Sequence, residues 1–401
     1  MILARKPDRF FLKLLSSLLL LVPAALCPLF FIPTATAADG AGQGIVARGE
    51  PVDTTPPFGF FSSPVCGSIV SGSIAVSGWA LDEVGLERVS IYRQDGSTLT
   101  HLGDATFVEG ARPDVEQTYP GLPNNSRAGW GFMMLTNFLP NQGTGTYTLT
   151  AVAHDQAGNS EVLGSRTISA ENAGAVKPFG SLDTPAPGAV ASGTDYRLEG
   201  WALTPRPNSI PTCGGTVQVY VDGVPQGSVT YNQYHQEAAR LFPGLANSEG
   251  AGGYFFLDTT AYQNGVHTIQ WTAMDSAGNT DGIGCRYFTI QNNPGADGLF
   301  SPSGPKELDP SSAGVDLFQG PSQTFQVDPT GLLGLDLAAL FSDGAGTAPF
   351  TYAGFQKVGE GLRALPVGST LFSESGTFHW LPGPAFWGSY ELVFTRTGAG
   401  V

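Results

Sequence analysis

The chain has 401 residues, enough for about two to four domains that each bury their own core. It contains 54 Gly and 30 Pro with only 13% charged residues, a balance that favours many short strands over long helices. The net charge of −15 at pH 7 repels phosphate backbones, so nucleic acid is not expected as a partner.

Residues 1–37 are predicted to be a signal peptide. A positive start, an apolar stretch and a small-residue cleavage site follow one another: Arg5, Lys6, Arg9 and Lys13, then Leu14 to Ile32, then Ala35-Thr36-Ala37. Prolines interrupt the apolar stretch, which favours a cleaved signal, with an uncleaved N-terminal anchor as the alternative. The predicted localisation is therefore secreted or cell-surface, with no other membrane contact.

Four short blocks recur in the same order at a spacing of about 120 residues, close to the size of one sandwich domain. The pairs are Pro57-Phe58-Gly59 with Pro178-Phe179-Gly180, Gly78-Trp79-Ala80-Leu81 with Gly200-Trp201-Ala202-Leu203, Tyr119-Pro120-Gly121-Leu122 with Phe242-Pro243-Gly244-Leu245, and Asp155-Gln156-Ala157-Gly158-Asn159 with Asp275-Ser276-Ala277-Gly278-Asn279. The sequence therefore predicts a duplicated domain, at residues 56–170 and 178–292.

Apolar residues alternate along short segments of each copy, as they do in a strand with one buried face. One such face is Tyr147, Leu149, Ala151 and Ala153, which the second copy matches with His267, Ile269, Trp271 and Ala273. Other strands are predicted at 74–79, 89–93 and 217–221, the last leading into the hairpin turn Asp222-Gly223. The predicted fold class is all-β, with antiparallel β-sandwiches in tandem.

The segment from Gly145 to Asn159, with its Gly-Thr-Tyr start and Asp-x-Ala-Gly-Asn end, resembles the closing strands of bacterial immunoglobulin-like (Big-type) domains. The fuller pattern over residues 56–292 is similar to paired Ig-like domains of exported bacterial proteins. This resemblance implies a fold and no particular function, because the sandwich hosts unrelated roles. In Ig-like folds, a tyrosine at the place of Tyr147 ties a late strand to an upstream loop, and His267 is expected to do the same.

A run rich in Pro, Gly, Ser and Asp predicts a linker at residues 293–320. Residues 321–401 then resemble the Ig/cadherin-like modules of bacterial surface proteins, through the phrases at 365–371, 376–380 and 388–394. A smaller C-terminal β-module is therefore expected. Because few residues follow Phe394, this module is expected to lack a final strand.

The sequence predicts no catalytic residue, cofactor or metal, and a protein that is not an enzyme. Asp155 and Asp275 offer oxygens to a cation, but without the alternating carboxylates of a calcium loop their predicted role is turn capping. The histidines lack metal-ligand spacing. Nucleophile and phosphate-loop motifs are missing from the sequence.

Cys213 and Cys285 are predicted to form a disulfide. Cys213 precedes the strand at 217–221 and Cys285 is expected to open the last strand of the same copy, which places both in loops at one end of the sandwich. Closing so long a loop would stabilise the domain by roughly 4 kcal/mol. Cys66 is left over.

Each copy has a long middle segment, at residues 108–130 and 230–254, with a short helical stretch predicted at 114–118 and at 236–241. Segments of this length are binding elements or loops packed on their own domain. The candidate binding residues are Tyr119, Trp130, Phe242 and Tyr254, although packing of these rings onto their own sheet is the favoured interpretation.

The predicted function is that of a non-enzymatic secreted or cell-surface modular protein in adhesion, display or spacing. Its expected partner is an extracellular protein or glycan. The alternative is a carbohydrate-binding accessory protein for extracellular polysaccharide, which requires exposed, coplanar aromatic rings.

Overall fold

A computed structural model describes the backbone of residues 8–15 and the full residues 53–292, 322–328, 330–341 and 350–398. Arg5, Lys6, most of the predicted apolar stretch, the cleavage site at 35–37 and the linker at 293–320 lie outside these residues. None of the helices in the described ranges is long and apolar enough to cross a membrane. The strand β1 (Asp8–Leu15) belongs to the C-terminal module.

The first copy is a sandwich of two sheets. Its strands are β2 (Phe58–Ser63), β3 (Ile69–Val70), β4 (Ser73–Leu81), β5 (Leu86–Asp95), β6 (Thr98–Asp104), β7 (Thr106–Phe107), β8 (Gly129–Leu135), β9 (Thr144–Asp155) and β10 (Ser160–Glu171). One sheet has the order β3-β10-β9-β5-β6 and the other β2-β4-β8-β7. Neighbouring strands are antiparallel except β3, which runs parallel to β10.

The second copy repeats this topology strand for strand. Its strands are β11 (Phe179–Thr184), β12 (Val190–Ala191), β13 (Tyr196–Leu203), β14 (Val217–Val221), β15 (Val224–Ser228), β16 (Thr230–Gln233), β17 (Gly252–Leu257), β18 (Gly265–Met274) and β19 (Thr280–Ile290). The sheets are β12-β19-β18-β14-β15 and β11-β13-β17-β16, again with one parallel pair, β12 with β19. The predicted all-β class with Ig-like sandwiches is confirmed.

In each sandwich, the strand with alternating apolar residues that the sequence predicts turns its apolar face into the core. Leu149, Ala151 and Ala153 are fully buried in the first core, and Ile269, Trp271 and Ala273 are fully buried in the second. The remaining members of the two predicted faces, Tyr147 and His267, lie at the start of the strand, where the chain leaves a loop. The predicted register is therefore confirmed in both copies.

Helical structure is short and lies between strands. The helices are α1 (Pro113–Thr118), α2 (Pro140–Gly143), α3 (Gln236–Leu241) and α4 (Leu337–Leu340), with 3₁₀ turns at Asn125–Arg127, Thr136–Phe138, Asn172–Gly174 and Thr259–Ala261. α1 starts on a proline, whose fixed φ suits the first helical position. In α3, the His235 ring accepts a hydrogen bond from the N–H of Ala238. Both helical stretches predicted in the middle segments are thus confirmed.

The C-terminal module has two sheets, β20-β1-β26-β22-β23 and β21-β25-β24. Its own strands are β20 (Ser322–Gln326), β21 (Leu333–Asp336), β22 (Phe350–Val358), β23 (Gly361–Arg363), β24 (Ser369–Phe372), β25 (Thr377–Trp380) and β26 (Ser389–Gly398). Between β20 and β26 lies β1, parallel to the former and antiparallel to the latter. Backbone from the predicted signal peptide thus occupies an inner position of this sheet.

Candidate functional site

The two middle segments pack onto the outer faces of their own sheets. In the first copy, Trp79 points away from the core that its neighbour Ala80 enters, because successive strand residues face opposite sides. The Tyr119 ring lies 5.6 Å from Trp79 and 5.4 Å from Phe58, measured between ring centroids. Below it, Val115 of α1 is buried.

The second copy builds the same cover from its own residues. Phe242 lies 5.6 Å from Trp201 and 5.1 Å from Phe179, and Ala238 of α3 is fully buried beneath it. The aromatic-Pro-Gly-Leu phrase therefore anchors a covering loop in both copies.

The four candidate binding rings do not converge on one surface. Trp130 is fully buried in the first core, and Phe242 is 4% exposed. Tyr119 is half-buried under its own loop. Tyr254 lies on the outer face of β17, with the Arg197 guanidinium 4.8 Å above its ring. Any binding role of these four residues stays a prediction.

Ring geometry does not favour the glycan alternative. Tyr119 meets Phe58 at 67° and Trp79 at 34°. Tyr254 meets Phe256, which is 51% exposed, at 65°. Stacking on the flat face of a sugar needs rings that share a plane, and these pairs do not provide it.

A cleft of about 360 Å³ lies where the two copies meet. Its walls carry the amides of Asn137, Asn141, Gln142 and Asn172, and its apolar lining includes Phe179 and Phe242. The Asn172 side chain is already hydrogen-bonded within the protein, since it accepts from the Gly72 N–H and donates to the Gln142 carbonyl. The lining also carries Lys177 and Asp281, whose charged groups lie 3.9 Å apart, and it includes neither histidine nor cysteine among the described residues. Sequence reasoning missed this cleft, because its residues come from separate turns.

Tyr147 and His267 hold the corner between a loop and a late strand. The Tyr147 hydroxyl donates to the Pro140 carbonyl at 2.5 Å. In the second copy, His267 Nε2 lies 2.9 Å from the Gln263 carbonyl and Nδ1 lies 2.5 Å from Asp222 Oδ2. Burial lowers the pKa of His267, but the hydrogen bond and charge of Asp222 outweigh it and raise that pKa overall. Both residues therefore have structural roles.

Asp155 and Asp275 cap equivalent turns, as the sequence predicts. Asp155 Oδ1 accepts the backbone N–H groups of Ala157, Gly158 and Asn159 at 2.6–2.8 Å. Asp275 Oδ1 accepts those of Ala277 and Asn279 at 2.9 Å. Burial raises the pKa of each carboxyl, but the hydrogen bonds from the Asn159 and Asn279 side chains, together with those from the backbone N–H groups, outweigh it and hold both pKa values below the usual range.

The predicted disulfide between Cys213 and Cys285 is wrong. The two residues are not bonded; Cys213 is exposed, whereas Cys285 is fully buried. The last strand begins at Thr280, so Cys285 lies inside β19 opposite Gln270 and does not open the strand. Cys213 precedes Val217, which pairs with Ala273, three residues along β18 from Gln270. The strand that follows Cys213, β14, and the strand that contains Cys285, β19, lie on opposite sides of β18.

The C-terminal module is held against both copies by buried polar contacts. The Tyr390 hydroxyl donates to the Ala111 carbonyl at 2.6 Å, within the middle segment of the first copy. On the other side, the Tyr287 hydroxyl of β19 accepts the Ala385 N–H at 3.1 Å. All four residues belong to one buried cluster. The module therefore contributes to an interface with both Ig-like copies.

Neither a protein-family model nor a curated protein matches this chain. Among solved structures, the fibronectin(III)-like modules of Clostridium thermocellum CbhA are 17% identical over 59% of this chain and 94% of theirs, with a TM-score of 0.20. The D00-D0 domain of intimin is 13% identical over 57% of this chain and 98% of its own, with a TM-score of 0.17. At these TM-scores the function must be argued from the chain itself.

Proposed function

We propose that this protein is a non-enzymatic, exported modular protein that spaces or presents surfaces outside the cell and adheres there to an extracellular partner. The single observation that carries the proposal is how the chain passes through each sandwich. In each copy the short second strand, β3 or β12, pairs in parallel with the strand by which the chain leaves the sandwich, β10 or β19.

In the first copy, β3 and β10 are joined by hydrogen bonds from Gly67 N–H to the Thr167 carbonyl and from Ser169 N–H to the Ser68 carbonyl. In the second copy, the Thr289 N–H donates to the Ala189 carbonyl at 2.8 Å. Pulling the ends of such a parallel pair apart slides the strands along each other, so the hydrogen bonds resist together instead of opening one by one. This geometry suits a spacer under tension.

The polar side chains also support a structural role. His235 pairs with Asp183 at 2.9 Å, and His101 pairs with Asp104 at 3.1 Å, so these histidines have separate carboxylate partners, as His267 does. The partly buried Arg363–Glu116 ion pair, at 2.7 Å, joins the C-terminal module to α1. These groups join parts of the fold together.

Force spectroscopy on the full chain, pulled from its ends, tests the proposal. Besides the unfolding of the C-terminal module, we expect two separate unfolding events, each lengthening the chain by about 35–40 nm, since each copy has about 115 residues. Ser169→Pro removes one donor of the parallel pair in the first copy, and Thr289→Pro is the matched change in the second. Each variant, with its fold checked by circular dichroism, should weaken one event and spare the other. Gradual extension without separate events would contradict a spacing role.

A further inference from the structure

Three aspartates of the first copy meet at one end of the sandwich. Asp53 precedes β2, Asp82 follows β4 and Asp155 ends β9. One carboxylate oxygen from each lies within 4.8 Å of the others. Asp155 is fully buried and Asp82 is 1% exposed, whereas Asp53 is half-buried at the edge. Among the described residues, no lysine or arginine forms an ion pair with any of the three.

The hydrogen bonds of the described residues leave one oxygen of this cluster without a donor. Asp82 Oδ1 accepts the N–H groups of Val84 and Gly85 at 2.8 and 3.0 Å. Its Oδ2 is buried and has no hydrogen-bond partner in the described part of the chain. The Asn159 amide nitrogen reaches Asp155 Oδ2 at 2.7 Å and Asp53 Oδ2 at 3.4 Å. A buried carboxylate oxygen without a partner needs a positive charge or a proton.

The second copy has the same turn, but its carboxylate does not require a positive charge or a proton. After the shared Gly-Trp-Ala-Leu block, Thr204 stands where the first copy has Asp82, and Gly174 stands where it has Asp53. Asp275 Oδ2 accepts from the Thr204 hydroxyl, the Asn208 amide and the Asn279 amide at 2.9–3.0 Å. Protein donors thus satisfy the carboxylate in the second copy. In the first copy, Asn159 still donates to Asp155 Oδ2, but the carboxylate of Asp82 stands in place of the Thr204 hydroxyl, and Asp53 adds a further carboxylate.

We propose that Asp53, Asp82 and Asp155 bind a calcium ion that fastens the start of the first copy to the ends of β4 and β9. The donor set consists of carboxylate oxygens, which is what a hard divalent cation prefers. Calcium–oxygen distances of about 2.4 Å allow ligand oxygens of one ion to lie up to about 4.8 Å apart. The partly exposed Asp53 lets water complete the coordination. This inference does not depend on the proposed function.

The crowding of the three carboxylates also favours a cation. Asp82 and Asp155 are both buried, so water screens the repulsion between their charges only weakly. Without a cation, the cluster carries like charges close together and partly withdrawn from water. A divalent ion removes that repulsion, whereas a single proton removes only part of it.

Calcium titration of the full chain by isothermal calorimetry, with thermal melts in calcium and in chelator, tests the site. We expect one saturable calcium site with a dissociation constant of about 0.1–1 mM, as in other extracellular modules. Calcium at about 10 mM should raise the melting temperature of the first copy by about 6–11 °C. Asp82→Asn keeps Oδ1 as an acceptor but removes the charge, and should abolish the calcium response.

Two further variants make the test specific. Asp275→Asn is the matched control in the second copy and should keep the full calcium response. Asp53→Asn changes only the partly exposed ligand and should weaken binding about tenfold or more without loss of fold. The site is disproved if the wild type shows no saturable calcium binding, or if Asp82→Asn binds calcium as the wild type does. Stabilisation in chelator on lowering the pH from 7 to 5, with no effect of calcium, would assign the cluster to a shared proton and also overturn the inference.

Discussion

Replacing Tyr390 with phenylalanine tests how the C-terminal module is held. The Tyr390 side chain is 1% exposed, and its hydroxyl donates to the Ala111 carbonyl of the first copy at 2.6 Å. Its ring packs edge-on against Trp380 at 5.4 Å and beside Phe386 at 5.6 Å, contacts that a phenylalanine ring keeps. The substitution therefore removes the hydrogen bond to Ala111 between modules, together with the bond that the Tyr390 hydroxyl accepts from the Trp387 N–H within the module.

The magnitude follows from the burial of both partners. An ordinary hydrogen bond contributes about 1 kcal/mol net, and a buried acceptor left without a donor costs about 1–3 kcal/mol. Ala111 is fully buried. We therefore expect Tyr390→Phe to lower the free energy of unfolding of the C-terminal module by about 2 kcal/mol. For a unit of about 60–100 residues, this corresponds to a fall in melting temperature of about 8–16 °C.

Differential scanning calorimetry of the full chain measures this shift. Tyr352→Phe is the matched control, because Tyr352 is buried in the same module but its hydroxyl has no hydrogen bond among the described residues. We expect the control to change the melting temperature by less than about 2 °C. Equal, small shifts in the two variants would refute the conclusion that this hydrogen bond holds the module to the first copy.

Three other predictions concern separate parts of the chain. Because Asp222 raises the pKa of His267, the stability from this pair is complete below about pH 6.5 and is lost as the pH rises through the higher folded-state pKa. Urea unfolding from pH 5.5 to 8.5 should show this loss, and Asp222→Asn should flatten it; an unchanged slope would contradict the assignment. Deleting residues 8–15 removes β1, the strand that lies between β20 and β26, so the backbone amide hydrogens of β26 should exchange faster with solvent. An unchanged exchange rate would show that β1 does not support the sheet. Finally, the exposed Cys213 should react with a maleimide in the native protein, whereas the buried Cys285 should react only after unfolding. A reductant should leave the melting temperature unchanged. Protection of both cysteines in the native protein would indicate a disulfide between them.

The alternating strands and the turn residues could be predicted from the sequence because both are local properties. The residues 217–221 form a strand with the predicted bounds and turn back at Asp222-Gly223. The helical stretch at 236–241 likewise has its predicted bounds. Side-chain period and turn chemistry act over a few residues, so no distant contact has to be known.

The misplaced disulfide shows where local reasoning fails. Cys285 was expected at the start of a strand, but β19 begins five residues earlier, at Thr280. Strand ends depend on which partner strand continues alongside, here β18, and a single sequence does not carry that information. An error of a few residues moves a side chain from a loop into the core.

Sequence alone determined that two homologous stretches form sandwiches with alternating strands, because a period of two and Gly-containing turns leave few other ways to bury the apolar face. Only the tertiary structure decided which residues from distant parts of the chain contact one another. It placed Tyr390 and Tyr287 in a joint between modules and brought Asp53, Asp82 and Asp155 within 4.8 Å of one another. These contacts join residues from about 30 to about 280 positions apart, and only the packing of complete domains brings such distant residues together.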